Sequence, residues 1–261
     1  MLVLALETAV ARAGVVLADD DRELSAWRAD TQRDLCSRLA SEIAAVISRA
    51  GRTFDDLDLV AVGLGPGSFT ALRVGLATAK ALALARDLPL VGIPSLAAMA
   101  WHVRDRLSGL VCPMLDARRG EVYAALYRVA QERGAQDRVA QERGAQDRVA
   151  QERVAHDRVD PVEPEFAAGP AGLAERLSSA GEPVTLFGQL DRLPAADIAR
   201  ALPARATLWS GETIVPDALA VAQLARRRFA AEGPDDPASL RPIYVRLSYA
   251  EERFDIDLGL R

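Results

Sequence analysis

A glycine-rich segment between an apolar run and an alanine-rich run is the clearest candidate for chemistry. Residues 63–70 read Gly-Leu-Gly-Pro-Gly-Ser-Phe-Thr. Glycine lets a backbone approach a ligand closely, and the free N–H groups at a helix start attract anions, so one interpretation is a phosphate site. The alternative interpretation is a tight turn in which Ser68 or Thr70 caps the helix that follows.

Three known glycine motifs do not fit this segment. A P-loop has a lysine directly after its last glycine, but here Ser68 follows Gly67. A dinucleotide fingerprint that starts at Gly65 has Thr70 in place of its third glycine. A nucleophile elbow would need a glycine where Pro66 stands. The residues therefore leave two interpretations open, an anion-binding loop without lysine and a capped turn.

An acidic residue ends the first apolar run of the chain, where Glu7 and Thr8 follow Leu-Val-Leu-Ala-Leu. A carboxylate at such a strand end can hold magnesium or orient a water molecule, as in actin-like ATPases. That pattern uses Asp before a glycine-containing hairpin, whereas Glu7 is followed by Thr-Ala-Val-Ala. A turn residue at the rim of a sheet is the favoured interpretation of Glu7.

A second polar turn has the sequence Asp-Ala-Arg-Arg-Gly-Glu-Val-Tyr over residues 116–123. The Asp116 carboxylate and the guanidiniums of Arg118 and Arg119 in one turn can contact an anion or an RNA phosphate. The alternative is a charged hairpin turn in which Asp116 and Gly120 shape the backbone. We favour the hairpin turn and keep ligand or partner contact as the other possibility.

The histidines and cysteines offer little material for metal or redox chemistry. The only histidines are His102 and His156, and the only cysteines are Cys36 and Cys112. Two distant histidines do not make a metal site, and two cysteines fit a reduced cytosolic protein better than a disulfide scaffold. We therefore expect no metal and no cofactor.

Composition places the chain among ordinary globular proteins. It has 261 residues, of which 50% are apolar and 26% are charged. The 32 basic and 37 acidic residues give a net charge of −5, which argues against nucleic-acid binding by bulk charge but leaves room for a local basic face. The start lacks the basic region of a signal peptide, and no apolar run approaches the roughly 20 residues needed to span a bilayer. A cytoplasmic protein without a membrane segment is expected.

Apolar periodicity predicts the elements that position these residues, and they alternate between strand and helix. The predicted strands are 2–6, 14–18, 54–63, 89–93, 110–115, 121–129, 183–187 and 206–208, and the predicted helices are 34–49, 70–85, 94–106, 169–180 and 216–232. Mixed strands and helices in two similar halves predict a two-lobed α/β protein. We expect an N-terminal lobe over 1–106, joined by the 216–232 helix, a C-terminal lobe over 107–215, and a tail over 233–261.

A ten-residue repeat interrupts the second lobe. Arg-Val-Ala-Gln-Glu-Arg-Gly-Ala-Gln-Asp occupies 128–137 and 138–147, and a close variant occupies 148–157. Ten residues fall short of three helical turns by about 80°, so successive copies do not line one helix face. The predicted insertion at 128–158 is an exposed loop, with a partner-binding arm as the alternative.

Taken together, five segments resemble the bacterial TsaB (YeaZ) family. In chain order they are LALETA, LDLVAVGLGPGSFTALRVGLATAKALA, GIPSLAAMA, DARRGEVYAALY and RPIYVR. The resemblance covers about 1–128 and the tail, and it weakens between 158 and 230. The repeat departs from the family, whose hairpin loop at that point is short.

The resemblance implies a two-lobed actin-like fold (ASKHA, RNase H-like) with a degenerate nucleotide site. It implies a non-catalytic scaffold that binds TsaD directly and TsaE in a ternary complex. TsaD transfers threonylcarbamoyl to adenosine 37 of ANN-decoding tRNAs, so tRNA would be contacted through TsaD. TsaD-type members carry a His-x-x-x-His metal motif, which this chain lacks. The degenerate ligand loops would comprise Glu7, Thr8, Gly65, Gly67, Ser68, Thr70, Asp116 and Arg118.

The helices at 34–49 and 70–86 are the expected partner interface. The second is apolar on nearly all faces and rich in small residues, so it must bury more than one face. A heterodimer or a homodimer would cover the apolar surface of this helix that the chain itself leaves exposed. The alternative is that the row of apolar side chains on this helix faces the chain's own sheet. The predicted interface residues are Leu35, Leu39, Ile43, Leu72, Leu76, Ala79, Lys80 and Ala83.

Two other classes of function are weighed against the scaffold. An active ATP-dependent phosphotransferase of the same fold would need acidic residues at strand ends, and Glu7 and Asp116 are the candidates. A metalloprotease is the weakest alternative, because no nucleophile–base pair or set of zinc ligands is present.

Overall fold

The computed structural model describes residues 1–30, 34–130, 158–189 and 192–246. Within these ranges the chain forms ten strands and six helices. The strands are β1 (Leu2–Glu7), β2 (Ala13–Asp19), β3 (Arg22–Ala29), β4 (Leu59–Gly63), β5 (Leu90–Ile93), β6 (Gly109–Arg118), β7 (Glu121–Ala130), β8 (Arg158–Ala168), β9 (Val184–Gly188) and β10 (Ala206–Leu208). The helices are α1 (Leu35–Arg49), α2 (Phe69–Arg86), α3 (Ser95–His102), α4 (Pro170–Ser179), α5 (Ala195–Ala201) and α6 (Ala218–Glu232), with a 3₁₀ turn at Phe54–Asp56.

The first sheet has the strand order β3-β2-β1-β4-β5, with β1 at its centre. β1 pairs antiparallel with β2 and parallel with β4, and all six of its residues are buried. Side chains alternate between the two faces of the sheet along β1, so Leu4 and Leu6 lie on one face and Val3 and Ala5 on the other. Helices α1 and α2 cover the first face, and α3 and α6 cover the second.

The second sheet repeats this topology, with the order β10-β9-β6-β7-β8. Its central strand β6 also pairs antiparallel with the next strand and parallel with a later one. Leu110, Cys112 and Met114 face α4 and α5 on one side, whereas Val111 and Leu115 face α3 on the other. Two mixed sheets with helices on both faces confirm the predicted two-lobed α/β class.

Helix α3 belongs to both cores. Ala98 and Trp101 pack with the first sheet and α6, and Leu96 and Met99 pack with the second sheet. Helix α6 follows the second sheet in the chain, yet it packs on the first sheet. No helix in the described ranges combines the length and the apolar character that a bilayer crossing requires.

Sequence periodicity predicted most of these elements but missed three. It did not predict β3, a half-exposed edge strand in which apolar and polar residues do not alternate cleanly. It also missed α5, which has only seven residues, and β8, which contains Pro161 and Pro164. The predicted strand 54–63 was too long, because β4 begins at Leu59, and α3 ends at His102 rather than at residue 106.

The repeat falls between two paired strands. β7 ends at Ala130, β8 begins at Arg158, and these two residues are partners in the antiparallel ladder. Residues 131–157 lie outside the described part of the chain, so the predicted exposed loop stays a prediction there. Its predicted ends need correction, because residues 128–130 belong to β7 and Arg158 belongs to β8.

A C-terminal segment over 233–246, here called the strap, runs along the first lobe and reaches the second. The Asp235 carboxylate binds Arg228 and the Gly92 N–H, and the Asp235 N–H donates to the Leu90 carbonyl at 2.8 Å. Further along, Ile243 N–H donates to the Leu64 carbonyl at 2.8 Å. The strap therefore runs past the edge of β5 and past the glycine-rich loop.

Candidate functional site

Glu7 is a buried carboxyl at the end of β1. Its Oε1 accepts a hydrogen bond from the Ala9 N–H at 2.7 Å, and its Oε2 accepts one from the Ser95 hydroxyl at 2.8 Å. The side chain is fully buried, and this burial raises the pKa of Glu7 to about 7. A Cβ at Gly63 would overlap the Glu7 carboxyl, so glycine at the end of β4 makes its position possible. The prediction of a turn residue at the sheet rim was therefore wrong, because Glu7 is the last residue of β1, pairs with Gly14 of β2 and is buried.

The glycine-rich loop is closed against the segment that follows β1. The Ser68 N–H donates to the Ala9 carbonyl at 2.7 Å, and a Cβ at Gly67 would overlap that carbonyl. The Gly65 N–H donates to the Ser95 hydroxyl at 3.1 Å, and the Ser95 N–H donates back to Gly65 at 2.8 Å. Amide groups that an anion-binding loop would offer to a phosphate are therefore used inside the protein.

Helix α2 begins directly after this loop. Ser68 is the N-cap residue, as the capped-turn interpretation expected, but its hydroxyl makes no capping hydrogen bond. Thr70 lies in the first turn and is exposed. Thr8 is buried, and its hydroxyl donates to the Ala71 carbonyl at 2.9 Å, which fixes the start of α2 against β1.

Asp116 and Arg118 form a separate turn on the second sheet. The Arg118 N–H donates to the Asp116 carboxylate at 2.7 Å, and the two side chains form an ion pair at 3.1 Å. Arg118, Arg119 and Gly120 all have positive φ, between 56° and 77°. This geometry supports the hairpin-turn interpretation, since the carboxylate serves its own turn. Among the described residues, no three His, Cys, Asp or Glu side chains are arranged to hold a metal ion.

The strap reaches this turn from the first lobe. Arg246 donates to the Ala117 carbonyl at 2.9 Å and forms an ion pair with Glu121. Neither Ser95 nor Arg246 was singled out from the sequence. Both stand in the segments that carry the family resemblance, GIPSLAAMA and RPIYVR, so those segments were the available signal.

The predicted interface residues need correction. The seven apolar residues among them are between 0% and 6% exposed, and they belong to the chain's own core: Leu35, Leu39, Ile43, Leu72, Leu76, Ala79 and Ala83. The α1 and α2 rows face the first sheet, because burial there removes more apolar surface from water than an outward position would. The eighth, Lys80, is half-buried and donates to the Leu240 carbonyl of the strap at 2.7 Å.

The outward faces of α1 and α2 carry different residues. These two helices are neighbours, and their exposed residues are mostly small or apolar. Leu84 on α2 is 71% exposed, the largest exposed fraction among the bulky apolar side chains of the described residues. We call this surface the helix face, and it comprises Ala40, Ser41, Ala44, Ala77, Ala81 and Leu84.

Comparison with known proteins identifies the family. The model described as "TsaD: tRNA N6-adenosine threonylcarbamoyltransferase" matches residues 29–250. Two proteins named tRNA threonylcarbamoyladenosine biosynthesis protein TsaB, from Bacillus subtilis and Escherichia coli, are 31% and 34% identical over 128 and 129 residues. The chain belongs to the TsaD family, in its TsaB (YeaZ) group. Each TsaB match covers 49% of this chain and 56% or 55% of the relative, so the chain spans about half the length of the curated TsaB proteins it matches.

Solved YeaZ structures share the fold over nearly the whole chain. YeaZ from Pseudomonas aeruginosa has a TM-score of 0.69 at 22% identity, covering 93% of this chain and 99% of that one. A second Pseudomonas aeruginosa structure, described as similar to peptidase YEAZ, has a TM-score of 0.70 and covers 94% and 99%. The two-sheet TsaB architecture therefore extends through both lobes of this chain.

Proposed function

We propose that this TsaB-family chain is a non-catalytic subunit that binds a TsaD protein and supports formation of N6-threonylcarbamoyladenosine at position 37 of ANN-decoding tRNAs. TsaE would join as the third protein, and tRNA would be bound mainly through TsaD. The work would take place in the cytoplasm, without a cofactor or a metal on this chain.

The closed glycine-rich loop carries this proposal. The Ser68 and Gly65 amides donate to Ala9 and Ser95, and both Glu7 carboxylate oxygens accept hydrogen bonds from the protein itself. Binding a nucleotide there would require breaking these buried hydrogen bonds, each at a cost of about 1–3 kcal/mol. A supporting role therefore fits the site better than phosphoryl transfer.

The helix face is the surface that we propose for the TsaD contact. Small side chains at Ala40, Ala44, Ala77 and Ala81 permit close approach of partner helices, and Leu84 supplies exposed apolar area. This replaces the inward rows of the same helices as the proposed interface.

Charge insertion at Leu84 tests the interface. Because Leu84 is 71% exposed, Leu84→Arg leaves the core intact, but it places a charge that must be desolvated on association. We expect a folded protein that no longer co-elutes with TsaD in size-exclusion chromatography and no longer supports tRNA modification. Val162→Arg is the matched control, since Val162 is 50% exposed on β8 of the other lobe. Normal co-elution of the Leu84→Arg protein would move the interface elsewhere.

A phosphotransferase remains the competing function, and it has its own test. Incubation of the purified chain with ATP and Mg²⁺ should give neither turnover nor a binding heat by calorimetry. ATP turnover that disappears in Glu7→Gln would contradict the non-catalytic role.

A further inference from the structure

Three basic side chains lie where the strap crosses α2, and within the described residues none has a carboxylate at ion-pairing distance. Arg73 and Lys80 are on α2, and Arg241 is on the strap. Lys80 donates to the Leu240 carbonyl at 2.7 Å, and Arg241 donates to the Ala238 and Leu240 carbonyls at 2.6 and 3.1 Å. These acceptors are neutral, so the positive charge of the group is not compensated by them. We call this group the basic seam.

The charges of the seam act on one another. Desolvation lowers the pKa of Lys80, and the nearby Arg241 charge lowers it further. The Asp236 charge opposes this effect, and its carboxylate, which accepts the Ala238 N–H at 2.8 Å, lies beyond ion-pairing distance of Lys80 among the described residues. Lys80 and Arg241 also share the Leu240 carbonyl as an acceptor. Two cations are thus held close together, an arrangement that an anionic ligand would stabilise.

Aromatic rings hold the third cation in place. The Arg73 guanidinium lies 3.9 Å from the centroid of the Phe69 ring, and its Nε donates to the Tyr244 hydroxyl at 3.0 Å. The Phe69 and Tyr244 rings are 5.1 Å apart. Arg73 is exposed, so its planar guanidinium is oriented without being covered. Cations beside aromatic rings suit nucleic acid, whose phosphates need charge and whose bases stack.

The overall charge of the chain does not explain the seam. The net charge is −5, and several exposed arginines elsewhere face carboxylates, as Arg12 faces Asp30 and Arg200 faces Asp197. Seven residues separate Arg73 from Lys80, which corresponds to about 10 Å along the helix. The seam is therefore long enough to contact more than one phosphate.

We propose that the basic seam binds the phosphate backbone of a nucleic acid. Resting on the proposed function, that nucleic acid is the tRNA substrate, which the chain would contact directly beside the TsaD interface. An acidic protein surface would need the cations but would make no use of the ring-supported guanidinium, so the aromatic pair favours RNA.

Salt dependence of tRNA binding tests the seam. The probe is an unmodified, ANN-decoding tRNA transcript, titrated by fluorescence anisotropy against the chain alone and against its complex with TsaD. The triple variant R73Q/K80Q/R241Q should weaken binding by roughly tenfold or more at about 50 mM salt. The slope of log K against log salt should become shallower by about 2, since each lost phosphate contact removes about 0.7–0.9. The control variant R158Q/R200Q/R205Q, on the second lobe, should leave both values unchanged.

Two further measurements keep the outcomes distinct. The triple variant should co-elute normally with TsaD in size-exclusion chromatography. If the proposed function is wrong, the unaltered chain fails to co-elute with TsaD, whereas an error in the seam proposal shows only in the RNA titration. Arg241→Gln alone removes only contacts within the strap, and it should lower the slope by about 0.7 even if the triple variant is unstable. An unchanged slope, or weakened TsaD binding with normal RNA affinity, would overturn the proposal.

Discussion

At the scale of single residues, the decisive feature is a carboxyl placed inside the protein. Glu7 is fully buried between β1, the Ala9 amide and Ser95, and its pKa is raised to about 7. A buried carboxyl with this pKa exists largely as the neutral acid below pH 7, so it can serve as a structural link without an ion partner. The raised pKa follows mainly from burial, to which the charge of Asp217 adds, and it is therefore no sign of catalysis by itself.

Replacement of Glu7 by glutamine tests this assignment through pH. The folded-state pKa of about 7 lies above the usual 4.5, so the folded protein holds a proton that the unfolded chain releases between these values. Stability from protonated Glu7 is complete below about pH 4.5 and is lost as the pH rises to about 7. The variant Glu7→Gln stays neutral, so its stability relative to wild type should rise by about 3 kcal/mol between acidic and mildly basic pH.

Urea unfolding of both proteins across this pH range measures that difference. A relative stability that does not change with pH would mean that Glu7 is ionised in the folded protein throughout.

At the scale of elements, α2 is positioned by close contacts rather than by an apolar stripe. The helix is apolar on several faces, so periodicity leaves its orientation open. Gly75 lies against Thr8, whose hydroxyl donates to Ala71 one turn earlier. The absence of a side chain at Gly75 is what allows α2 to approach the end of β1 this closely.

Two helical glycines give a matched comparison. A Cβ at Gly75 would overlap the Thr8 hydroxyl, whereas a Cβ at Gly172 in α4 would make an ordinary contact with Ala168 at 3.6 Å. Gly75→Ala should lower the free energy of unfolding by about 1–3 kcal/mol through overpacking. Gly172→Ala should raise it by up to about 1 kcal/mol, because alanine favours the helix. Thermal melts followed by circular dichroism measure both, and equal effects would contradict this packing of α2.

The strands around the repeat also belong to this scale. Deletion of residues 138–157 joins Asp137 to Arg158, a junction that reproduces the sequence at Asp157–Arg158, and shortens the segment between β7 and β8 from 27 to 7 residues. Since Ala130 and Arg158 are partners in one antiparallel ladder, the shorter segment has to span only the distance between two neighbouring strands. Each halving of a loop changes the closure free energy by about 0.6 kcal/mol, so stability should rise by about 1 kcal/mol or less. A deletion variant that is folded but no longer co-elutes with TsaD would instead make the repeat a docking arm.

At the scale of the whole molecule, the two lobes are joined by shared elements. Helix α3 packs on both sheets, α6 returns from the second lobe to cover the first, and the strap reaches the turn of the second sheet through Arg246. Each lobe would expose a large apolar face without the other. The lobes should therefore unfold together.

The three tryptophans report on this coupling. Trp27 lies on β3 in the first lobe, Trp101 is buried in α3, and Trp209 packs edge-to-face against Phe187 in the second lobe. Variants that retain only Trp27 (W101F/W209F) or only Trp209 (W27F/W101F) should show fluorescence transitions that coincide with the circular dichroism transition of the same protein. Both variants lack Trp101, so the loss of its hydrogen bond to Gln223 affects them equally. Fluorescence and circular dichroism midpoints that differ within one variant would show that the lobes unfold independently.

The sequence by itself determined the elements whose residues repeat with a clear period. β1 is apolar throughout and α1 carries Leu35, Leu39, Ile43 and Ile47 on one stripe, so their type and burial follow from local pattern. The position of the glycine-rich loop between a strand and a helix was predicted on the same basis, but the residue types left both a capped turn and an anion-binding loop open. The pattern could not predict which face of a helix is buried when its apolar residues do not lie on a single side.

Only the tertiary structure decided which face of α2 is buried, where Glu7 lies and what the strap does. Leu76 and Leu84 are both leucines on one helix, yet they are 6% and 71% exposed, because the sheet lies on only one side of it. Glu7 is buried through contacts with Ser95 and a glycine far along the chain, and Arg246 finds its partners more than a hundred residues away. Such contacts depend on which distant segments meet in the folded protein, and the spacing of residues along the chain does not predict those meetings.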